Sequence, residues 1–143
     1  MKKKLKFKLI ALDTNIFIYF FENDVNFGDK ARLIFEKLAE NKLKAVTSIT
    51  SLAELLASPK LDERAAKATK KLFLSVPNLE VYSMDEAIAI KSAEIRRKYN
   101  FRLLDAIQLA TSKSSKAEAF ITNDHRLKKF KEEPVVLLAD LKT

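Results

Sequence analysis

Short apolar segments alternate with amphipathic helical segments along the whole of this chain of 143 residues. Residues 29–41 show the helical spacing, with apolar side chains at positions i, i+3, i+4 and i+7. Parallel strands need a crossover connection, and right-handed crossovers cover both faces of a sheet. The alternation therefore predicts an α/β fold, with a central, mostly parallel five-stranded sheet and helices on both faces. The predicted strands are residues 7–12, 45–48, 79–82, 119–122 and 134–138.

The segments between the predicted strands carry the signals that begin and end helices. A break at Gly28 precedes the second helix, and Pro59 and Pro77 follow the third and fourth, because proline disfavours helical geometry in the residue before it. No repeat or Pro/Gly/Ser-rich linker divides the chain, so residues 1–143 are predicted to form one domain, with residues 1–6 as a basic N-terminal extension. The predicted helices are 15–21, 29–41, 50–58, 62–74, 85–99 and 103–110, with a short basic segment at 126–131.

Three rare residue types exclude several kinds of chemistry. The chain has no cysteine, one histidine and one glycine. Disulfides, thiolate metal sites, cysteine nucleophiles and multi-histidine zinc sites are therefore excluded. Glycine-rich phosphate loops need several residues without a Cβ, so neither a Rossmann dinucleotide site nor a P-loop is possible.

The N-terminal region resembles an export signal in its first residues but departs from one at Asp13. Residues 1–8 are basic and residues 9–21 are mostly apolar. An aspartate in the middle of a membrane-inserted segment costs about 2.5–3.5 kcal/mol, and no small-residue cleavage site follows. The sequence thus predicts a cytoplasmic protein without a membrane span. Its formal charge of +8 favours a polyanionic partner, although a solvated lysine-rich surface would give the same composition.

Acidic residues follow or flank the carboxyl ends of three predicted strands. Asp13 directly follows the first strand, and Asp124 follows the strand that ends at residue 122. Glu54 lies in the helix after the second strand, and Asp105 opens the helix before the fourth. In open parallel sheets, ligands bind outside the carboxyl ends of the strands. Each residue also has a structural explanation: Asp13 and Asp124 could cap helices, Asp105 could complement a helix dipole, and Glu54 could face solvent.

Gathering four carboxylates is unfavourable unless a cation joins them, since two unit charges 4 Å apart repel by ~4 kcal/mol at an effective dielectric of 20. Oxygen ligands without histidine or cysteine suit Mg²⁺ or Mn²⁺. An acidic site on a basic protein predicts a metal that links carboxylates to phosphate, and hence hydrolysis of phosphodiester bonds.

Four short motifs span nearly the whole chain: Leu12-Asp13-Thr14-Asn15, residues 48–55 (SITSLAEL), residues 104–110 (LDAIQLA) and Ile121-Thr122-Asn123-Asp124. Each motif is short, but together and in this order they resemble the motifs of PIN-domain ribonucleases, and specifically of VapC-type toxins from bacterial and archaeal toxin–antitoxin pairs.

The resemblance implies a PIN-like fold and a Mg²⁺-dependent (or Mn²⁺-dependent) endoribonuclease that cleaves RNA. It implies a homodimer and a cognate antitoxin protein. It also assigns Asp13, Glu54, Asp105 and Asp124 as catalytic and metal-binding residues. Thr14, Asn15 and Thr122 would orient these carboxylates or a bound water.

The sequence departs from the family pattern after Asp124, where basic residues follow. His125, Arg126 and Arg102 are expected to contact substrate on this side of the groove, and His125 could protonate a leaving oxygen, although a lone histidine is more often structural. The lysines of residues 2–8 could bind RNA, although a solvated terminus is the simpler explanation.

Three alternatives remain open from the sequence. A PIN nuclease that matures cellular RNA would have the same chemistry and no antitoxin. A catalytically silent relative would bind RNA or protein only. A phosphoacceptor signalling domain is disfavoured, because it needs an aspartate after the middle strand and Asp85 there is better explained as a helix start.

Overall fold

A computed structural model describes residues 6–142 of the chain. All of the predicted basic extension except Lys6 lies outside the described residues. Helices and strands alternate as predicted. The strands are β1 (Leu9–Leu12), β2 (Lys44–Ser48), β3 (Leu79–Tyr82), β4 (Ala119–Thr122) and β5 (Val135–Leu137). The helices are α1 (Thr14–Phe21), α2 (Gly28–Ala39), α3 (Thr50–Leu56), α4 (Glu63–Leu74), α5 (Glu86–Tyr99) and α6 (Leu103–Ser114), with 3-10 turns at His125–Lys129 and Leu138–Asp140.

The five strands form one sheet in the order β3-β2-β1-β4-β5, and every neighbouring pair is parallel. The predicted fold class is confirmed, and the sheet is wholly rather than mostly parallel. The chain moves outward from β1 to β3 and then returns to place β4 on the other side of β1. Strand order therefore reverses between β1 and β4, which is where sheets of this kind form a crevice at their carboxyl ends.

Successive residues of each strand point to opposite faces of the sheet, so both faces present side chains to be buried. Helices cover both of these faces. On one face, Leu12 packs in a buried cluster with Phe17 of α1 and Ile34 of α2. On the other face, Phe120 packs in a second cluster with Leu109 of α6. The central strands are thus buried on both sides.

Several element boundaries differ from the sequence prediction. The first strand begins at Leu9 rather than at residue 7, and the basic segment predicted at 126–131 is the 3-10 turn His125–Lys129. Gly28 does not break the chain before α2 but is the first residue of that helix. A Cβ there would lie 3.0 Å from the carbonyl carbon of Asn23, so glycine allows a close backbone approach.

Side chains fix the starts of two peripheral helices. Asp62 accepts a hydrogen bond from the backbone N–H of Ala65 at 2.7 Å, and Asp85 accepts one from Ile88 at 2.8 Å. The cap at Asp85 supports its interpretation as a helix start. No helix in the described part of the chain is both long and apolar enough to cross a membrane.

Candidate active site

The four predicted acidic residues are linked around the carboxyl ends of β1 and β4. Asp13 follows β1 and caps α1, and Asp124 follows β4 and caps the 3-10 turn after it. Glu54 lies on α3, which is the helix that follows β2, and Asp105 lies in the first turn of α6. The capping roles weighed as structural explanations for Asp13 and Asp124 therefore do exist. A cap also places its carboxylate at the reversal of strand order, so the two roles are compatible.

Asp105 and Asp13 are the most deeply buried of these carboxylates, and only 8% of the surface of Asp13 is exposed. The backbone N–H of Thr14 donates to its Oδ1 at 2.8 Å, and the Thr122 hydroxyl donates to its Oδ2 at 2.7 Å. Burial raises the pKa of Asp13 to about 6, the two hydrogen bonds oppose this rise, and the charges of Asp105 and Glu54 add to it. The ionised carboxylate is therefore held in a place that favours a nearby cation.

Glu54 is held by a buried polar network that joins four elements. The Thr14 hydroxyl donates to Glu54 Oε1 at 2.7 Å. Behind it, the Gln108 side-chain amide donates to the Ser51 hydroxyl at 2.6 Å and to the Thr14 hydroxyl at 3.3 Å. The Thr47 hydroxyl completes the network through a contact of 2.9 Å with Ser51.

Sequence reasoning assigned no role to Ser51, Thr47 or Gln108. Gln108 did carry a usable signal, since it is an uncharged polar residue one helical turn after Asp105; in the structure only 2% of its surface is exposed. Buried amides are retained where their hydrogen bonds are satisfied. A polar residue one turn after Asp105 could thus have been expected to face the site.

Two arginines neutralise the carboxylates on the other side of the crevice. Arg126 bridges Asp105 and Asp124: its Nη2 lies 3.2 Å from Asp105 Oδ2 and also contacts Asp124 Oδ2. The hydrogen bond from Arg126 holds the pKa of Asp124 below its usual value. Arg102 Nε lies 3.1 Å from Asp105 Oδ2. The arginines expected to contact substrate therefore contact the acidic residues here, while His125 is exposed at the start of the 3-10 turn.

The acidic side chains at the site offer oxygen atoms, the type of ligand that a hard divalent cation prefers. Within residues 6–142, no three acidic or histidine side chains stand close enough together to hold an ion as they are oriented. In this structure the negative charges of Asp105 and Asp124 are neutralised by Arg126 and Arg102 instead of by a metal ion. Asn15, however, presents a buried Oδ1 with no hydrogen-bond partner among the described residues, while its amide nitrogen lies 3.4 Å from the Thr122 hydroxyl. A free oxygen acceptor beside Asp13 suits a metal ion or its bound water.

A protein-family model matches this chain over most of its length. The PIN domain family model matches residues 10–133, a range that contains all four acidic residues. No curated protein sequence matches the chain.

Several solved structures share the fold. VapBC2 from Rickettsia felis, bound to a promoter DNA fragment, is 21% identical with a TM-score of 0.70 over 90% of this chain and 98% of that one. A toxin–antitoxin complex from Klebsiella pneumoniae is 25% identical with a TM-score of 0.67, over 90% and 97%. DNA-bound VapBC from Salmonella typhimurium is 18% identical with a TM-score of 0.70, over 92% and 98%. With the family model matching most of its length, the chain belongs to the PIN domain family.

Proposed function

We propose that this protein is a Mg²⁺-dependent or Mn²⁺-dependent endoribonuclease that hydrolyses RNA phosphodiester bonds. The observation that carries the proposal is the buried carboxylate of Asp13, whose pKa is raised to about 6 by burial and by the charges of Asp105 and Glu54. Such a group is unfavourable in a fold without a ligand and useful next to a cation. Membership of the PIN domain family supports the same chemistry.

The residues of this chain would divide the work by position. Asp13, Glu54, Asp105 and Asp124 would hold the cation, which supplies an activated water and stabilises negative charge on the leaving oxygen. Thr122 and the backbone of Thr14 keep the Asp13 carboxylate in one orientation through hydrogen bonds of 2.7 and 2.8 Å. Asn15 offers its unpartnered Oδ1 as an acceptor for a bound water.

Arg126 and Arg102 would serve both states of the site. Without a metal they neutralise Asp105 through contacts of 3.1 and 3.2 Å, and Arg126 also pairs with Asp124. With the same carboxylates occupied by a divalent cation, the guanidinium groups of Arg126 and Arg102 would be available to bind the phosphate of the substrate. Arginine suits this role because its planar donors match phosphate oxygens in pairs.

We further propose that the protein is the toxin of a toxin–antitoxin pair, with an antitoxin partner and a homodimeric assembly. Solved structures that share its fold are complexes of this type. Leu103 and Leu104 beside Asp105 are 55% and 42% exposed, and exposed apolar side chains next to a site are typical of protein interfaces. The proposed location is the cytoplasm.

Cleavage of RNA by the purified protein tests the nuclease proposal. We expect cleavage in Mg²⁺ or Mn²⁺ that EDTA stops and that Asp13→Asn or Asp105→Asn abolishes. Asp29→Asn is the matched control, because Asp29 is an exposed helix residue that pairs with Arg32 at 3.0 Å. Circular dichroism checks that each variant is folded. Full activity of Asp13→Asn would contradict the assigned site.

Brief induction of the protein in cells tests the toxin proposal separately. Sequencing of RNA 5′ ends should show discrete new ends together with arrested growth. Cleavage in vitro without any growth defect would favour a role in RNA maturation instead.

A further inference from the structure

A hollow of about 180 Å³ lies between α1, α3 and α4, immediately beside the acidic site. Glu54 belongs to both places: it is one of the residues that line the hollow, and its Oε1 accepts the hydrogen bond from Thr14 at 2.7 Å. Anything bound in the hollow is therefore adjacent to the proposed site of cleavage. The other lining residues are Ile18, Phe21, Glu22, Leu55, Ser58, Leu61 and Thr69.

The walls of the hollow suit a flat aromatic group. Ile18, Leu55 and Leu61 give it apolar sides. The Phe21 ring is held by its neighbours, with its centroid 6.1 Å from that of Phe17 and 5.8 Å from that of Phe20. A half-buried phenyl ring that is already ordered offers a stacking surface at low entropic cost.

The polar groups of the hollow are mainly hydrogen-bond acceptors. Its lining residues, all within the described range, include two glutamates and no lysine or arginine. The Thr69 hydroxyl already donates to the carbonyl oxygen of Ala65 at 2.9 Å. One oxygen of Glu54 is engaged with Thr14, whereas the exposed Glu22 carboxylate at the end of α1 can offer both of its oxygens as acceptors. A matching ligand must present N–H donors along one edge.

We propose that this hollow binds a guanine base of the RNA substrate next to the scissile phosphodiester, with Phe21 as the stacking surface and Glu22 as the acceptor. Guanine places two adjacent donors, N1–H and the 2-amino group, on its Watson–Crick edge, and the two oxygens of a carboxylate can accept both. The other three bases each present an acceptor next to their donor. Unstacked bases of single-stranded RNA are commonly bound by aromatic stacking with hydrogen bonds to this edge. The inference rests on the proposed ribonuclease function, for which it supplies the base preference.

Nucleotide binding tests the hollow without requiring cleavage. In ¹H–¹⁵N NMR spectra of the full chain, guanosine 5′-monophosphate should shift the amide resonances of Glu22, Ser58 and Leu61. Inosine 5′-monophosphate lacks the 2-amino group and should bind more weakly, and uridine 5′-monophosphate should leave these resonances unchanged. Equal shifts with all three nucleotides, or guanosine shifts confined to other parts of the protein, would overturn the proposal.

Substitution of Glu22 links the hollow to substrate choice. The wild-type protein should cleave an oligoribonucleotide with a single guanosine faster than one with inosine at the same position, and Glu22→Gln should reduce that ratio by about tenfold, as expected when a bidentate interaction with a base is removed. Glu40→Gln is the matched control, since Glu40 is likewise an exposed residue at the end of a helix, α2. An unchanged ratio in Glu22→Gln would overturn the proposal.

The two assays separate the proposals from one another. Cleavage without guanosine preference would refute the base site and leave the nuclease function standing. Guanosine-specific shifts in a protein that cleaves no RNA would support the base site and refute the nuclease function.

Discussion

The buried carboxyl group of Asp13 makes the stability of the folded protein depend on pH. In the folded protein burial raises its pKa to about 6, from an ordinary value of 3.8. The folded state therefore binds more protons than the unfolded state between these two pH values. Stability conferred by the protonated carboxyl is present at low pH and is lost as the pH rises through about 6. At neutral pH the metal-free protein thus contains a buried charge that its hydrogen bonds compensate only in part.

Replacing Asp13 with asparagine should remove this cost. A shift of this size corresponds to about 3 kcal/mol, since each pKa unit is worth about 1.36 kcal/mol. We expect Asp13→Asn to raise the free energy of unfolding at pH 7.5 by up to about 3 kcal/mol, and to change it little at pH 4. Urea denaturation in EDTA at both pH values measures the difference. Asp29→Asn serves again as the control, and a variant less stable than wild type at pH 7.5 would contradict the prediction.

Among the elements, α6 supports the site through hydrogen bonds from Gln108 to the residues that hold Glu54. Gln108 connects it to Ser51 on α3 and to Thr14 on α1, and Thr14 in turn holds Glu54. The helices α1, α3 and α6 are thereby held together by hydrogen bonds as well as by apolar packing. Removing one member of such a network leaves the others as unsatisfied buried groups.

Gln108→Leu should therefore cost more than the loss of one hydrogen bond. We expect the free energy of unfolding to fall by about 2 kcal/mol, because Ser51 and Thr14 lose a buried donor. Thr111→Val is the matched control: Thr111 is buried on the same helix, but its hydroxyl donates within that helix, to the carbonyl oxygen of Ile107 at 2.8 Å. Urea denaturation should show the larger loss in Gln108→Leu. Equal losses in both variants would argue that the network adds no stability.

The elements themselves could be predicted from the sequence, but their lateral connections could not. Periodicity identifies strands and helices because the burial of each side chain is decided within a few residues. The place of β4 beside β1 depends on packing across the whole sheet. The same holds for the site: Asp13 and Asp124 were recognisable at strand ends, whereas the bridge from Arg126 to Asp105 joins residues 21 positions apart through the tertiary fold.

The whole molecule combines an acidic crevice with a formal charge of +8. Arg102 and Arg126 lie at the crevice itself, and the exposed residues Lys128 and Lys129 follow on the same 3-10 turn as Arg126. In the proposed function, the surrounding positive potential would attract an RNA strand, and the carboxylates would hold a cation at the centre. Lys42 and Lys44 lie at the amino end of β2, at the opposite edge of the sheet.

This distribution of charge predicts a position-dependent effect of salt on cleavage. The logarithm of kcat/KM for a single-stranded RNA should fall linearly with the logarithm of NaCl concentration, because binding releases counterions from the phosphates. Replacing Lys128 and Lys129 with glutamine should reduce the slope by about 1.4, at about 0.7 for each lysine–phosphate interaction that is removed. The same substitutions at Lys42 and Lys44 give a variant with the same net charge as the first. Its slope should equal that of the wild-type protein. Equal slopes for the two double variants would show that net charge alone, and not its placement beside the crevice, draws RNA to this protein.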